Sequence, residues 1–473
     1  MFSFLASRPA ARPVPDGDVL STYHRLRIRA LFGIFIGYAA YYIVRSNFTL
    51  STPYLMKAMS LSKTDIGLLT SCMLVTYGIS KGVMSALADK CNPKYYMICG
   101  LLLSCLVNVF LGFSTEFWMF VALVILNGLF QGMGVGPAFI MIANWFPRMQ
   151  RGRTGAIWNI SHNIGGGIVA PISVGAFAFF GTEHWQVASY WAPAAITFVA
   201  ALLFMAVGVG TTYNAGLPPV DKILNSADNE LISDAADQAG QHLSASQTFR
   251  KYVLFNKHVW FVSLADACVY LVRFGVISWL PIYLLQVKGF SKGQMGLAFA
   301  IFEWAAIPAT LFAGLLSDKL FKGRRMPLAM FCMVVILAAL MIYHTSDSLA
   351  VITAAAGLIG AFIYVPQFLL SVTTMEIVPK FAVGSAVGLR GFMSYVVGST
   401  IGTALIGKLV DLYGWDAGFY TLLTGGVLCL CFCFLSHRGA LELEARKRGR
   451  SAAANQAKLP KPAGAGAAAS GGR

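Results

Sequence analysis

Two arginines interrupt otherwise apolar stretches, and each closes a tetrapeptide of one pattern: Tyr42-Ile-Val-Arg45 early in the chain and Tyr270-Leu-Val-Arg273 past its middle. A charge near the centre of a lipid-spanning helix costs roughly 2.5–3.5 kcal/mol, so such a residue ordinarily faces an aqueous cavity and meets a counter-charge there. Tyr38, Tyr42 and Arg45 recur at i, i+4 and i+7, as do Asp266, Tyr270 and Arg273, which sets each trio on one helical face. Two such arginines make a paired cationic clamp suited to a doubly charged anion. The competing reading is that each is tied up in a structural ion pair, for instance Arg273 with Glu303.

The elements that carry the clamp must be membrane helices. The chain has 473 residues, 57% of them hydrophobic and only 12% charged, with mean hydropathy +0.66. That much apolar surface needs lipid as its solvent. Apolar runs of about 20 residues, the length that crosses the hydrocarbon layer, recur six times in 28–210 and six times in 258–436. The expected fold is an all-α membrane protein of twelve transmembrane helices. Around the two bundles lie an N-terminal tail (1–27), a polar linker rich in Asp, Ser, Ala and Gln (211–257) and a basic, then Ala/Gly-rich, disordered tail (437–473).

The halves repeat in parallel. Arg45 and Arg273 stand 228 positions apart, while Gly67 and Gly296, and Asp89 and Asp318, stand 229 apart. A nearly constant offset implies duplicated six-helix units related by an axis along the membrane normal, with a binding site between them near mid-membrane.

A net charge of +16 would suggest nucleic acid in a soluble protein. Here the cations gather at alternate helix ends: Arg25, Arg27 and Arg29, then Lys90 and Lys94, then Arg148, Arg151 and Arg153, then Lys319, Lys322, Arg324 and Arg325. They read as orientation signals that put both termini in the cytoplasm of a multi-pass inner-membrane protein, and nucleic-acid binding is disfavoured. The polar start, with Asp16 and Asp18, lacks the order of a cleaved signal peptide. The nine cysteines sit mostly within spans with no CxxC pair in a loop, so neither disulfides nor metal ligands are expected. No GxxxxGK[ST] loop occurs, so neither ATP hydrolysis nor a cofactor is expected.

Long motifs carry a family resemblance over about Tyr23 to Glu444: YYIVRSNFTLSTPYL, NGLFQGMGVGP, WNISHNIGGGIVAPI, VYLVRFGVISWLPIYL and AVGSAVGLRGFMSY. The chain resembles the organophosphate:phosphate antiporters of the major facilitator superfamily. The resemblance implies a monomeric secondary transporter, not an enzyme, that exchanges small anionic organophosphates for inorganic phosphate across the bilayer by alternating access. It implies that Arg45 and Arg273 hold the phosphoryl group through their bidentate forks, that His162 joins them and responds to protonation, and that Lys81, with Glu303 and Asp266, balances the cavity's charge. Tyr38, Tyr42, Tyr77, Tyr270, Tyr364 and Tyr395 match or neighbour cavity-lining aromatic positions, and Asp89 and Asp318 belong to loops that brace the helices between conformations.

Two departures bear on substrate. Val135 stands where glycerol-phosphate members carry a tryptophan. Arg390 stands where hexose-phosphate members have a cation, but the acid three positions earlier is replaced by Val387. An uncompensated Arg390 would recognise a substrate carboxylate, favouring phosphoglycerates and phosphoenolpyruvate; alternatively, Asp266 neutralises it from the neighbouring helix. The alternatives for the whole chain are a transporter-like membrane sensor of organophosphates and an antiporter for hexose phosphate or glycerol phosphate.

Overall fold

A computed structural model describes residues 5–10, 13–88, 91–181, 183–224, 247, 249–320, 325–378 and 382–457. Among these, twelve helices are long and apolar enough to cross a bilayer. In the first half they are α1 (Val19–Met59), α2 (Lys63–Ala88), α3 (Pro93–Phe113), α4 (Phe117–Trp145, slackened at Gly132–Gly134), α5 (Arg148–Phe180) and α6 (Val187–Val207). In the second they are α7 (Lys257–Gln286), α8 (Lys292–Leu320), α9 (Arg325–Thr345), α10 (Leu349–Glu376), α11 (Ser385–Tyr413) and α12 (Trp415–Ala457). Large apolar side chains such as Phe110, Trp118, Val199, Phe312 and Phe434 stay exposed. They are the surface that lipid solvates.

Local signals set several starts. Asn92 accepts from the backbone N–H of Lys94 at 3.1 Å with Pro93 at the first helical position, and Asn256 accepts from His258 N–H at 3.0 Å. Each asparagine satisfies an orphan donor at a helix start.

The two bundles repeat each other's packing. In the first, α1 packs on α5 and α6, and α2 on α4; in the second, α7 packs on α11 and α12, and α8 on α10. Pro53 in α1 has its counterpart 228 positions later, Pro281 in α7. The closest backbone approaches repeat too: a Cβ on Gly165 of α5 would lie 2.0 Å from the Ala39 carbonyl oxygen of α1, and one on Gly398 of α11 would lie 2.2 Å from that of Ala267 on α7. Only glycine lets these helix pairs meet so closely.

Three expectations are revised at the edges. The last helix continues through the segment expected to be disordered, to Ala457, where acidic residues (Glu442, Glu444) precede basic ones (Lys447, Arg448, Arg450) at helical spacing. Residues 211–224, assigned to the linker, fold against the first half, where Leu217 and Val220 are buried in one core with Ile142 and Trp145, and against the N-terminal tail, where the Tyr213 carbonyl accepts from Ala10 N–H and Asn214 Nδ2 donates to the Arg8 carbonyl at 2.8 Å. The N-terminal tail turns helical at Val19. Asp89 lies outside the described residues, and of Asp318 only the helical backbone is described.

The halves meet along a seam of α1 with α7, α2 with α11, and α5 with α8. At the face opposite the termini, the distal face, the seam is closed by hydrogen bonds. Asp411 of α11 sits over the start of α2, accepting from Thr64 N–H at 2.6 Å, Thr64 Oγ1 at 2.7 Å and Lys63 N–H at 3.2 Å. An acid of one half thus caps a helix of the other and faces its positive end. Two turns deeper, the hydroxyls of Ser71 and Thr403 meet at 2.5 Å. The expected consequence is that Asp411→Ala removes a cap worth about 1 kcal/mol and lowers the thermal midpoint in detergent; an unchanged midpoint would show that the contact carries no stability.

Candidate functional site

The site begins with a break in α1. Val44 leaves helical geometry (φ −86°, ψ 15°) immediately before Arg45. Its carbonyl accepts from Asn127 Nδ2 at 3.0 Å and Asn108 Nδ2 at 3.1 Å, and the Tyr41 carbonyl accepts from Gln131 Nε2 at 3.1 Å. In hydrocarbon a freed carbonyl must find a partner inside the protein. Buried amides from α3 and α4 supply it, and so fix where Arg45 emerges. None of the three was singled out from the sequence, although a buried Asn or Gln in an apolar span is itself a signal, because it is costly without partners.

Arg45 is 6% exposed and its guanidinium lies over the rings of Tyr77 (3.9 Å) and Tyr42 (5.2 Å). Its Nη1 has no hydrogen-bond partner, and it makes no ion pair among the described residues. Arg273 is held differently. Its Nη1 donates to Gln367 Oε1 at 2.8 Å and its Nη2 to the Tyr364 hydroxyl at 3.1 Å, with the Tyr364 ring 4.3 Å from the guanidinium. The Tyr364 hydroxyl in turn donates to Glu303 Oε2 at 2.9 Å, which also accepts from Asn163 Nδ2 at 3.1 Å across the seam. Glu303 therefore reaches Arg273 through a tyrosine, not as the direct ion pair weighed above. Three guanidinium N–H groups of Arg273 stay available.

His162 packs between Tyr42 (5.1 Å) and Tyr364 (5.4 Å), rings from opposite halves, with Nδ1 on the Asn159 carbonyl. That contact assigns the proton of the neutral ring to Nδ1 and leaves Nε2 as an acceptor. All six singled-out tyrosines gather here: Tyr395 touches Tyr77 and Tyr270 at 5.2 and 4.9 Å, and Tyr38 touches Tyr42 at 5.5 Å. Lys81 lies on the terminal side of the clamp, within electrostatic reach of Tyr395, Arg390, Arg45 and Asp266, and makes no ion pair among the described residues.

Arg390 requires a correction. It is not an uncompensated cation: its Nη1 donates to Asp266 Oδ2 at 2.6 Å, and Ser394 donates to the same oxygen at 2.5 Å from a π-helical turn of α11. Asp266 is fully buried, and an acid at that depth requires such a partner. The missing acid at Val387 is replaced by one from α7, a substitution that neighbouring positions in the chain do not reveal.

Counted together, the described residues immediately around the clamp bring four cations (Arg45, Lys81, Arg273, Arg390) against two carboxylates (Asp266, Glu303). The excess is two positive charges in a low-dielectric interior, which favours a dianion. Arg45 and Arg273 also line one cavity between the halves, with Glu303 on its wall.

Residues 34–403 match the Major Facilitator Superfamily. The chain is 60% identical over 429 residues to the phosphoglycerate transporter protein of Salmonella typhimurium, covering 91% of this chain and 92% of that one. It is 35% identical over 444 residues to the glycerol-3-phosphate transporter of Bacillus subtilis, covering 91% and 96%. Among solved structures, a bacterial homolog of the human lysosomal transporter Spinster in an inward-facing, unoccupied conformation has the same fold, with a TM-score of 0.67 at 16% identity over 88% of this chain and 98% of that one.

Two outcomes follow from the geometry. Arg45→Lys and Arg273→Lys each replace a planar fork by a point charge, so phosphate affinity, measured by calorimetry in detergent, should fall about 100-fold at roughly 1.5–3 kcal/mol per lost charged hydrogen bond; undiminished affinity would remove the clamp. Arg390→Gln strands a buried carboxylate at a cost of about 3–5 kcal/mol, and Arg390→Gln/Asp266→Asn should restore much of the thermal midpoint. A double variant no more stable than the single would refute the pairing.

Proposed function

The chain belongs to the major facilitator superfamily, and on that premise we propose that it is an antiporter that exchanges phosphoglycerates and phosphoenolpyruvate for inorganic phosphate. The two relatives described above are named transporters, not enzymes, whereas relatives at 31% and 30% identity are named membrane sensor proteins. The coarser statement, that it transports organophosphates, rests on 60% identity across nearly the full length of both chains. The observation that carries the finer one is the excess of two positive charges around the clamp, which phosphate, or an organophosphate of the same charge, neutralises.

In this reading the guanidinium groups of Arg45 and Arg273, which line one cavity, take the phosphoryl oxygens from opposite halves. His162 Nε2 accepts from a protonated phosphoryl oxygen, so the clamp suits the partly protonated form. Without an anion the two unneutralised guanidinium groups oppose closure of the seam. An anion bound to both draws the halves together, which is the differential affinity a conformational change requires. Exchange then follows from electrostatics: the return of an empty, doubly positive site is disfavoured, and either anion permits it. Rocking would have to release the distal contacts of Asp411 with α2 and of Ser71 with Thr403. Both arginines come from one chain, so a monomer completes the site. The cluster of cations at the terminal face supports cytoplasmic termini in the inner membrane.

The test is counterflow in proteoliposomes loaded with phosphate and free of ATP. Uptake of labelled phosphoglycerate should appear, and should disappear when the internal phosphate is omitted. Saturable binding without counterflow would overturn antiport in favour of sensing.

A further inference from the structure

The cavity at the clamp has a second layer. Beyond Arg45 and Arg273 toward the distal face its wall includes Ser46 and Thr49 of α1 and Ser278 of α7. Hydroxyls within membrane helices commonly bond back to a carbonyl one turn earlier. Ser51, Thr70, Thr373 and Thr374 all do so, at 2.7–2.9 Å. The hydroxyls of Ser46, Thr49 and Ser278 make no hydrogen bond within the described protein, yet none belongs to the hydroxyls sealed away without a partner, such as Ser104, Ser173 and Ser263. They face open space, and their donors and acceptors are unspent.

Their placement relative to the guanidinium groups sets a distance. Thr49 lies one helical turn beyond Arg45, about 6 Å along the axis, and Ser278 lies somewhat farther beyond Arg273, about 7.5 Å, at 1.5 Å per residue. Ser46 and Thr49 share a face of α1 at i and i+3, and α1 meets α7 across the seam. The remaining wall carries the apolar Met73, Leu74, Phe274, Ile277 and Phe299 together with Tyr42, Glu303 and Thr70, whose hydroxyl donates to the Ile66 carbonyl. A phosphoryl group between the arginines therefore leaves its organic substituent a one-turn space with three free hydroxyls beside the apolar side chains of Met73, Leu74, Ile277 and Phe299. A three-carbon acid fits that inventory, because its carboxylate and single hydroxyl find donors and its short skeleton meets the apolar wall. A hexose ring carries more hydroxyls than this wall can answer.

We propose that Ser46, Thr49 and Ser278 are specificity-determining residues that receive the carboxylate-bearing end of a short organophosphate while Arg45 and Arg273 hold its phosphoryl group. The proposal rests on the antiport reading and assigns the carboxylate to the hydroxyl layer, since Arg390 is engaged by Asp266.

The experiment measures kcat/KM for phosphoglycerate and for phosphate in the same phosphate-loaded proteoliposomes. In the triple variant Ser46→Ala/Thr49→Val/Ser278→Ala the ratio of the two should fall about 100-fold, taking roughly 1 kcal/mol per hydroxyl bond and 1.4 kcal/mol per factor of ten. Each single variant should move the ratio in the same direction by a smaller factor, so the singles decide the matter if the triple variant fails to reach the membrane. A wild-type ratio in the variants, or equal loss for both anions, overturns the hydroxyl layer while leaving antiport standing. Absence of phosphoglycerate uptake in the wild-type protein overturns the antiport reading itself.

Discussion

Two guanidinium groups at membrane depth without a carboxylate of their own are the constraint around which this protein is organised. The chain does not neutralise them in place. It surrounds Arg45 with ring faces, whose negative quadrupoles attract a cation without supplying a full counter-charge, and ties Arg273 to a carboxylate only at one remove, through the Tyr364 hydroxyl. The positive charge is thereby tolerated without being satisfied. Complete neutralisation would stabilise the fold and remove the reason to bind.

Duplication supplied two similar bundles, and the site uses the places where they differ. The proline and the close glycine approach recur in both halves, because they set helix curvature and helix spacing, which both bundles need. The backbone break beside Arg45 has no counterpart beside Arg273, where α7 stays helical. One arginine is thus carried on a deformed segment braced by Asn108 and Asn127, the other on an intact helix braced by Gln367 and Tyr364. The braces of the first come from within its own half, whereas Glu303 also receives Asn163 from the opposite half, so the surroundings of Arg273 are the part of the clamp most directly coupled to closure of the seam.

Charge elsewhere in the interior follows a different rule. Arg390 and Asp266 form a direct, hydrogen-bonded pair with Ser394 as a further donor, the arrangement expected of buried charges that maintain structure. Asp411 does at the distal rim what a local side chain usually does, completing the start of α2 from another part of the chain. Such long-range caps join the halves through a small hydrogen-bond set.

The amino-acid sequence by itself determined the helical spans and the repeat, and it singled out the two arginines within apolar runs that the fold brings to one cavity. These are legible because lipid solvation demands long apolar runs, and because a charge inside such a run has few explanations. Tertiary structure alone decided which charges are free and which are paired. Val387 made Arg390 look uncompensated, but its partner stands 124 positions away on α7, and no local spacing encodes that contact. The asparagine lattice behind Arg45 and the open hydroxyls of Ser46, Thr49 and Ser278 were hidden for the same reason. Whether a polar side chain in an apolar helix is satisfied depends on what the neighbouring helix places opposite it, and that is fixed only when the helices pack.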